Sequence, residues 1–92
     1  MLSIVIPALN EAATIATALA PLQALRAKGH EVIVVDGGSV DGTLELACGL
    51  ADRVMSAERG RARQLNAGVR AASGDVVLLL HADTILPAQA DE

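Results

Sequence analysis

The feature that most constrains the fold is a set of short apolar runs that alternate with segments of helical spacing. Leu2 to Ile6, Val32 to Val35 and Asp75 to Leu80 are predicted strands, and Arg53 to Met55 is a short strand toward one edge. The second strand is apolar on both faces, which is typical of a central parallel strand. Strands that alternate with helices indicate right-handed βαβ units. The predicted fold is therefore α/β, a Rossmann-like parallel sheet in the order 3-2-1-4 with flanking helices.

Three helices are predicted between these strands. Asn10 is expected to cap the first, and Pro21 interrupts its apolar stripe, so a kink or restart is expected there. Asp41 is expected to cap the second helix. The third is predicted to open at Glu58 and to end at Gly74. Its predicted inward face consists of four apolar residues at helical spacing, Ala62, Leu65, Val69 and Ala72.

Composition limits the class of protein. The 92 residues are 52% hydrophobic and 20% charged, which predicts one globular domain spanning residues 1–92. The net charge of −4 argues against nucleic-acid binding, which needs a basic face. No aromatic residue is present, so a bound base or sugar ring has no aromatic side chain on which to stack. The single cysteine, Cys48, excludes an internal disulfide and is expected to be a small buried thiol.

The apolar runs are too short for a membrane span. The longest has five residues, Val76 to Leu80, whereas a helix that crosses a bilayer needs about 20. No basic leader segment precedes the first strand. The chain is therefore expected to be cytoplasmic, without a transmembrane segment.

Polar residues follow the strands at the edge where open α/β sheets bind their ligands. Pro7 is expected to end the first strand, and Asp36 stands at the tip of the second with no expected role as a helix cap. Gly37 and Gly38 let a ligand approach the backbone closely. His81-Ala82-Asp83 follows the fourth strand, and an imidazole and a carboxylate there indicate metal or phosphate chemistry.

Two common nucleotide motifs are missing from the sequence. Gly-x-Gly-x-x-Gly does not follow the first strand, and no Gly-x-x-x-x-Gly-Lys occurs. A dinucleotide-dependent oxidoreductase and a P-loop NTPase are both disfavoured as a result.

Taken in order, four segments resemble the family 2 glycosyltransferases, which are inverting enzymes of the GT-A fold. The segments are Pro7–Glu11, Val35–Thr43, Gly60–Gly68 and His81–Asp83, the last lying where the family keeps its Asp-x-Asp-type motif. The resemblance covers nearly all of the chain and implies the N-terminal half of a GT-A fold.

The resemblance also implies a site for a nucleoside diphosphate sugar, with a UDP-sugar favoured as the donor. Pro7 and Ala8 are implied to contact the nucleotide through their backbone, and Asn10 and Glu11 through side chains. Asp36 takes the position that binds the uracil edge or ribose, and Arg61 the position that reaches the nucleotide. The complete predicted site is Pro7, Ala8, Asn10, Glu11, Asp36, Gly38, Arg61, His81, Ala82 and Asp83.

Asp83 matches the family's metal-binding aspartate and is the predicted ligand of Mn²⁺ or Mg²⁺. His81 stands where many members have an aspartate, and a partly buried structural histidine is an equally good interpretation of it. For Arg63 and Arg70 we prefer a solvated basic face.

The resemblance implies inverting transfer of a sugar from the donor to an unknown acceptor. Asp91 and Glu92 are terminal, so no residue after Asp83 is a credible general base, and we assign no catalytic residue within the chain. The family continues further with an acceptor half, so these 92 residues alone are expected not to transfer sugar.

Two other functions stay open at this point. A non-catalytic nucleotide-binding or interaction module fits the same residues. A phospho-acceptor receiver-type domain needs an acidic pair after the first strand, where the chain offers only Glu11. With any of these functions, the apolar fourth strand predicts a homo-oligomer formed through an exposed sheet edge.

Overall fold

The computed structural model describes residues 1–80, which form a four-stranded parallel sheet with helices on both faces. The strands are β1 (Leu2–Ala8), β2 (Glu31–Asp36), β3 (Arg53–Ser56) and β4 (Val76–Leu79), in the order β3-β2-β1-β4. The helices are α1 (Ile15–Leu19), α2 (Gln23–Ala27), α3 (Thr43–Ala47) and α4 (Arg61–Ala71). The predicted fold class and strand order are confirmed.

The two central strands are buried on both faces, because successive side chains of a strand point to opposite sides of the sheet. Ile4 and Val34 belong to the core cluster that includes residues of α1, α2 and α3, and neither is exposed to solvent. Val5 and Ile33 belong to the second cluster, against which residues of α4 pack. Full burial of one such side chain stabilises the fold by about 1.5–3 kcal/mol, so the two apolar runs hold both layers together.

Pro7 lies inside β1, so the expectation that it ends the strand is wrong. The register pairs Pro7 with Val35, and the strand continues to Ala8. The carbonyl of Val5 accepts the N–H of Leu80 on the β4 side. Because the backbone groups of successive residues in a strand point in alternate directions, those of Pro7 point the same way as those of Val5. The N–H that proline lacks therefore points away from β2, and the β1–β2 ladder continues through Pro7.

The segment after β1 becomes helical later than predicted. α1 begins at Ile15, and Asn10 precedes it in a left-handed conformation with φ 53°, so Asn10 is not the helix cap. The restart predicted at Pro21 is confirmed, because a 3₁₀ turn over Ala20–Leu22 separates α1 from α2. Proline fits there because a first helical turn does not need its N–H.

The buried face of α4 differs from the predicted stripe. Gln64 and Gly68 are its buried residues and Leu65 packs against the core, whereas Ala62 and Val69 are exposed. A Cβ at position 68 would lie 2.3 Å from Cγ1 of Val5 and 3.1 Å from Cγ2 of Val35. Glycine thus lets the helix backbone come within contact distance of the sheet, and this approach turns the Gly68 face inward.

Cys48 is exposed, so the predicted buried thiol is wrong. Ala47 takes the buried position at the end of α3, and Cys48 follows it at the C-cap. No helix in the described part of the chain combines the length and the hydrophobicity required to span a bilayer.

Substituting Gly68→Ala should destabilise the fold. The added methyl group overlaps the stiff, β-branched Val5, and overpacking of this kind costs about 1–3 kcal/mol, which exceeds the gain of about 1 kcal/mol in helix propensity. The free energy of unfolding in urea measures the effect.

Gly49→Ala is the matched control, because a Cβ at position 49 meets nothing within 4 Å. If Gly68→Ala is as stable as Gly49→Ala or more so, the close approach of α4 does not constrain the fold.

Candidate functional site

The carboxyl ends of β1 and β2 and the start of α4 meet at one edge of the sheet. Parallel pairing sets Ala8 beside Asp36, and the side chain of Gln64 in α4 reaches the carbonyl of Ala8. An open cleft of about 260 Å³, which we call the strand-tip cleft, lies at this edge. It is lined by Pro7, Ala8, Leu9, Glu11, Arg59, Gly60, Arg61 and Gln64. Four predicted site residues are thereby brought together: Pro7, Ala8, Glu11 and Arg61.

Asp36 organises the turn that follows β2 and, as expected, does not cap a helix. The side chain is buried, with 3% of the residue exposed. Its Oδ2 accepts the N–H of Gly38 at 3.0 Å and of Ser39 at 2.8 Å, and its Oδ1 accepts the hydroxyl of Ser39. A carboxylate has about four acceptor positions, so these three bonds fix its orientation and leave acceptor capacity for one more donor.

Asn10 connects the loop after β1 to the turn after β2. Its backbone N–H donates to the hydroxyl of Ser39 at 2.8 Å, and its Oδ1 accepts the N–H of Val40 at 2.9 Å. Asparagine is one of the few residues that adopt a positive φ readily. Asn10, Ser39 and Asp36 therefore form one chain of hydrogen bonds, and the side-chain oxygen of Asn10 is bound within the protein.

A second set of bonds joins the same two loops. Glu11 donates its N–H to Oγ1 of the buried Thr43 at 2.8 Å, and Ala12 donates its N–H to Oδ2 of Asp41 at 3.1 Å. Oδ1 of Asp41 accepts both the N–H and the hydroxyl of Thr43. The N-cap position of α3 is Gly42 rather than Asp41 as predicted, but Asp41 still satisfies an N–H of the first helical turn.

Hydrogen bonds lower the pKa of Asp41 below its usual value. The largest cause is the bond from the Thr43 hydroxyl, and the N–H groups of Ala12 and Thr43 add to it. All of these bonds favour the charged carboxylate. The link between the two loops is therefore strongest when Asp41 is ionised.

Gln64 is the site residue that the sequence analysis missed. Only 4% of it is exposed, and its Nε2 donates to the carbonyls of Ala8 and Val35 at 3.0 Å each. Its Oε1 accepts the N–H of Gly60 at 3.3 Å. The signal that could have found it is its position between Gly60 and Gly68 at intervals of four residues, which places all three on one face of the helix.

The start of α4 presents positive charge to the strand-tip cleft. The helix begins at Arg61 rather than at the predicted Glu58, because Gly60 has φ 138° and cannot continue a helix. Arg59 and Arg61 are exposed and line the cleft, and the first helical turn carries no acidic residue. A helix N-terminus with adjacent arginines favours an anion.

The other arginines of α4 are placed as expected. Arg63 and Arg70 are both exposed, and Arg63 lies 3.8 Å from a carboxylate oxygen of Glu58. Both partners of that ion pair are mostly solvated, so it contributes little to stability. These positions fit the predicted solvated basic face.

The predicted metal motif, His81-Ala82-Asp83, lies outside the described residues. Leu80 directly follows β4 and donates its N–H to the carbonyl of Val5, so the described chain ends beside β1. Within residues 1–80, no group of three or more histidine, cysteine, aspartate or glutamate side chains is arranged to hold a metal ion.

Comparison with known sequences points to one family. The sequence model of the family described as Glycosyl transferase family 2 matches residues 3–92. The poly-beta-1,6-N-acetyl-D-glucosamine synthase of Staphylococcus aureus (strain COL) is 36% identical over 83 residues, which cover 84% of this chain and 20% of that protein. The chain therefore spans about a fifth of the length of this relative.

Solved structures agree with the family match. A mannosyltransferase from Pyrobaculum calidifontis, in complex with GDP-Man and Mn²⁺, superposes with a TM-score of 0.81 at 32% identity, covering 94% of this chain and 28% of that one. Glucosyl-3-phosphoglycerate synthase from Mycobacterium tuberculosis, in complex with Mn²⁺, UDP and phosphoglyceric acid, superposes with a TM-score of 0.82 at 34% identity. The match covers 92% of this chain and 34% of that one. The predicted GT-A fold is confirmed.

Substituting Asp41→Asn should flatten the acid dependence of stability. The folded pKa of Asp41 is depressed, so its contribution is fully present above the unfolded value of about 3.9 and is lost as the pH falls through the lower folded value. Urea midpoints measured in steps from pH 6 down to about pH 2 should fall less steeply for Asp41→Asn than for the wild type.

Thr43→Val provides a second comparison, because it removes the hydroxyl that contributes most to the shift. It should also flatten the acid dependence. If the urea midpoints of the wild type and Asp41→Asn fall in parallel as the pH is lowered, Asp41 does not link the loops after β1 and β2 in solution.

Proposed function

The chain belongs to glycosyl transferase family 2, and we propose that it forms the donor-binding part of an enzyme that transfers a sugar from a nucleoside diphosphate. The observation that carries this proposal is the strand-tip cleft, where backbone from β1 faces the cationic start of α4. In this proposal, residues 1–92 are a single nucleotide-sugar-binding domain.

The charge of the strand-tip cleft suits the diphosphate of such a donor. Arg59 and Arg61 lie on one wall, together with the N-terminus of α4. Arginine holds a phosphate through several directed N–H groups, and the helix terminus adds a favourable dipole. In this proposal Arg61 reaches the nucleotide from that wall.

The base and ribose are assigned to the opposite side of the site. Asp36 is held rigidly by the turn after β2, and its remaining acceptor capacity suits an N–H of a pyrimidine or the hydroxyl of a ribose. The backbone of Pro7, Ala8 and Gly38 and the side chains of Asn10 and Glu11 complete this set of contacts. UDP is the nucleotide we favour, since the related synthase was solved with UDP, whereas the mannosyltransferase was solved with GDP-Man.

We assign a divalent cation, Mn²⁺ or Mg²⁺, to Asp83, with His81 and Ala82 beside the nucleotide. Both similar solved structures contain Mn²⁺, and one carboxylate supplemented by phosphate oxygens and waters is an ordinary ligand set for Mg²⁺. When bound, such an ion neutralises the charge that develops on the leaving diphosphate. The protein's own part is to hold the donor at the strand-tip cleft.

The reaction assigned to the whole enzyme is inverting sugar transfer. A general base must remove a proton from the acceptor hydroxyl, and we place no such base within residues 1–92. The acceptor stays unassigned, and the cytoplasmic location stays a prediction from the sequence.

The proposal predicts weak, metal-dependent binding of UDP. Titration calorimetry with UDP and Mn²⁺ should give a binding heat for the wild type that Asp83→Ala abolishes. Arg61→Ala should weaken binding about tenfold, which corresponds to about 1.4 kcal/mol for one charge-assisted bond. GDP in place of UDP tests the choice of base.

Arg70→Ala is the control for loss of positive charge, because Arg70 is exposed in the last turn of the same helix. It should bind UDP as the wild type does. Equal binding by the wild type and Asp83→Ala, or no binding with Mn²⁺ present, contradicts the proposed site.

We also propose that the chain self-associates through β4. In the described part of the sheet β4 is an edge strand, and Val76 and Leu79 are 61% and 47% exposed. The backbone groups of Val77 and Leu79 point away from β1, because Leu80 directs its N–H toward that strand. An apolar edge strand whose backbone N–H and C=O groups point outward favours pairing with a second copy of the chain.

Sedimentation equilibrium at micromolar concentration should therefore give a dimer or a larger oligomer. Leu79→Lys should shift the mass to that of the monomer, since a charged lysine on an edge strand opposes pairing. Val40→Lys is the control, because Val40 is 91% exposed on the loop after β2. A wild-type mass equal to that of the monomer would refute edge pairing.

A further inference from the structure

We propose that Gln64 is a positioning residue of the strand-tip cleft, which sets the distance between its two walls. The inference rests on the proposed binding of a nucleotide there. Gln64 takes this role without being assigned as a ligand, because its polar atoms already bind the protein.

The amide of Gln64 joins three segments that are far apart in sequence. Its Nε2 reaches the carbonyl of Ala8 at the end of β1 and that of Val35 near the end of β2, each at 3.0 Å. Its Oε1 receives the N–H of Gly60, which directly precedes α4. One buried side chain thus connects both strand tips to the start of the helix.

The hydrogen-bond pattern accepts only an amide. Two carbonyl oxygens require two N–H donors, and the N–H of Gly60 requires an acceptor, which fixes the orientation of the Gln64 side chain. A leucine would leave polar groups unpaired. A glutamate would direct a carboxylate at two carbonyl oxygens, which repel it.

The backbone of the turn after β2 also packs against this amide. A Cβ at position 37 would lie 2.8 Å from Oε1 of Gln64, so the glycine lets the two segments touch. Gly37 donates its own N–H to the carbonyl of Ala8, the same atom that Gln64 binds. The turn that Asp36 organises is therefore held against Gln64 as well.

The consequence for binding follows from which groups line the strand-tip cleft. Ala8 lies on the strand wall, and Gly60 and Arg61 lie on the helix wall. Because Gln64 binds Ala8 and Gly60 simultaneously, it fixes where Arg61 stands relative to the strand tips. A cleft that is already arranged binds its ligand more tightly, since less ordering is needed on binding.

The chain contains a matched control for the loss of such an amide. Nε2 of Gln23 also donates to two backbone carbonyls, those of Leu19 at 2.9 Å and Leu50 at 2.8 Å. Gln23 does not line the strand-tip cleft. Gln23→Leu therefore removes the same type of bonds at a place where no nucleotide contact is proposed.

The first experiment compares Gln64→Leu with Gln23→Leu by titration calorimetry with UDP and Mn²⁺, at a temperature where circular dichroism shows both to be folded. Gln23→Leu should bind as the wild type does, and Gln64→Leu should lose at least about tenfold in affinity. Equal affinities for the two variants overturn the positioning role.

Gln64→Glu adds a readout that a role in packing alone would not change. Its carboxylate should weaken UDP binding at pH 7.5, and protonation near pH 5 should restore one donor and part of the affinity relative to the wild type. If the affinity for UDP does not recover at the lower pH, the result counts against the positioning role of Gln64. If Gln64→Leu does not fold, this variant supplies the comparison.

Hydrogen exchange of the Gly60 amide, measured without nucleotide, separates this inference from the proposed function. Exchange should be faster in Gln64→Leu, which removes the acceptor of the Gly60 N–H, than in Gln23→Leu. Unchanged exchange overturns the positioning role even if UDP binds. If exchange is faster but the protein binds no UDP, Gln64 holds the cleft walls together and the assigned ligand is wrong. The proposed role of Gln64 in nucleotide binding is then wrong as well.

Discussion

The parallel pairing of β1 with β2 places the ends of both strands, Ala8 and Asp36, side by side at one edge of the sheet. The loops that follow the two strands must therefore leave the sheet together, and their hydrogen bonds to one another become possible. The pairing is held by apolar side chains on both faces, since Ile4 and Val5 are each fully buried on opposite sides. The candidate site is thus a consequence of the most deeply buried part of the molecule.

The site itself is made from polar groups that satisfy one another. No buried side-chain nitrogen or oxygen within residues 1–80 lacks a hydrogen-bond partner. Asp36 holds its own turn, Ser39 and Asn10 link that turn to the neighbouring loop, and Gln64 joins both strands to α4. Such a network keeps the functional side chains in place before a ligand arrives, which lowers the cost of binding.

The sequence was sufficient to predict those elements in which burial dominates. β2 is buried on both faces and appears as a continuous apolar run, so its place in the sheet could be predicted. The start of α1 was misplaced because Asn10 is also a good helix cap, and only the contacts with Ser39 and Val40 show its other use. Gln64 was missed because glutamine on a helix is usually exposed, and its burial depends on the strand ends that meet beside it.

We propose that the carboxyl edge of the sheet, where the strand-tip cleft lies, binds a nucleotide together with its metal ion. Paramagnetic broadening by Mn²⁺ in the presence of UDP tests it directly, because the amide signals nearest the ion lose intensity first. We expect the amides of Leu9, Gly38 and Arg61 to broaden at low Mn²⁺ concentration. The amides of Glu31 and Ser73 should keep their intensity, because both residues lie at the opposite edge, where the Ser73 N–H donates to a carboxylate oxygen of Glu31 at 2.9 Å. Uniform broadening at both edges, or broadening confined to the opposite edge, would show that the nucleotide and its metal ion do not bind at the carboxyl edge.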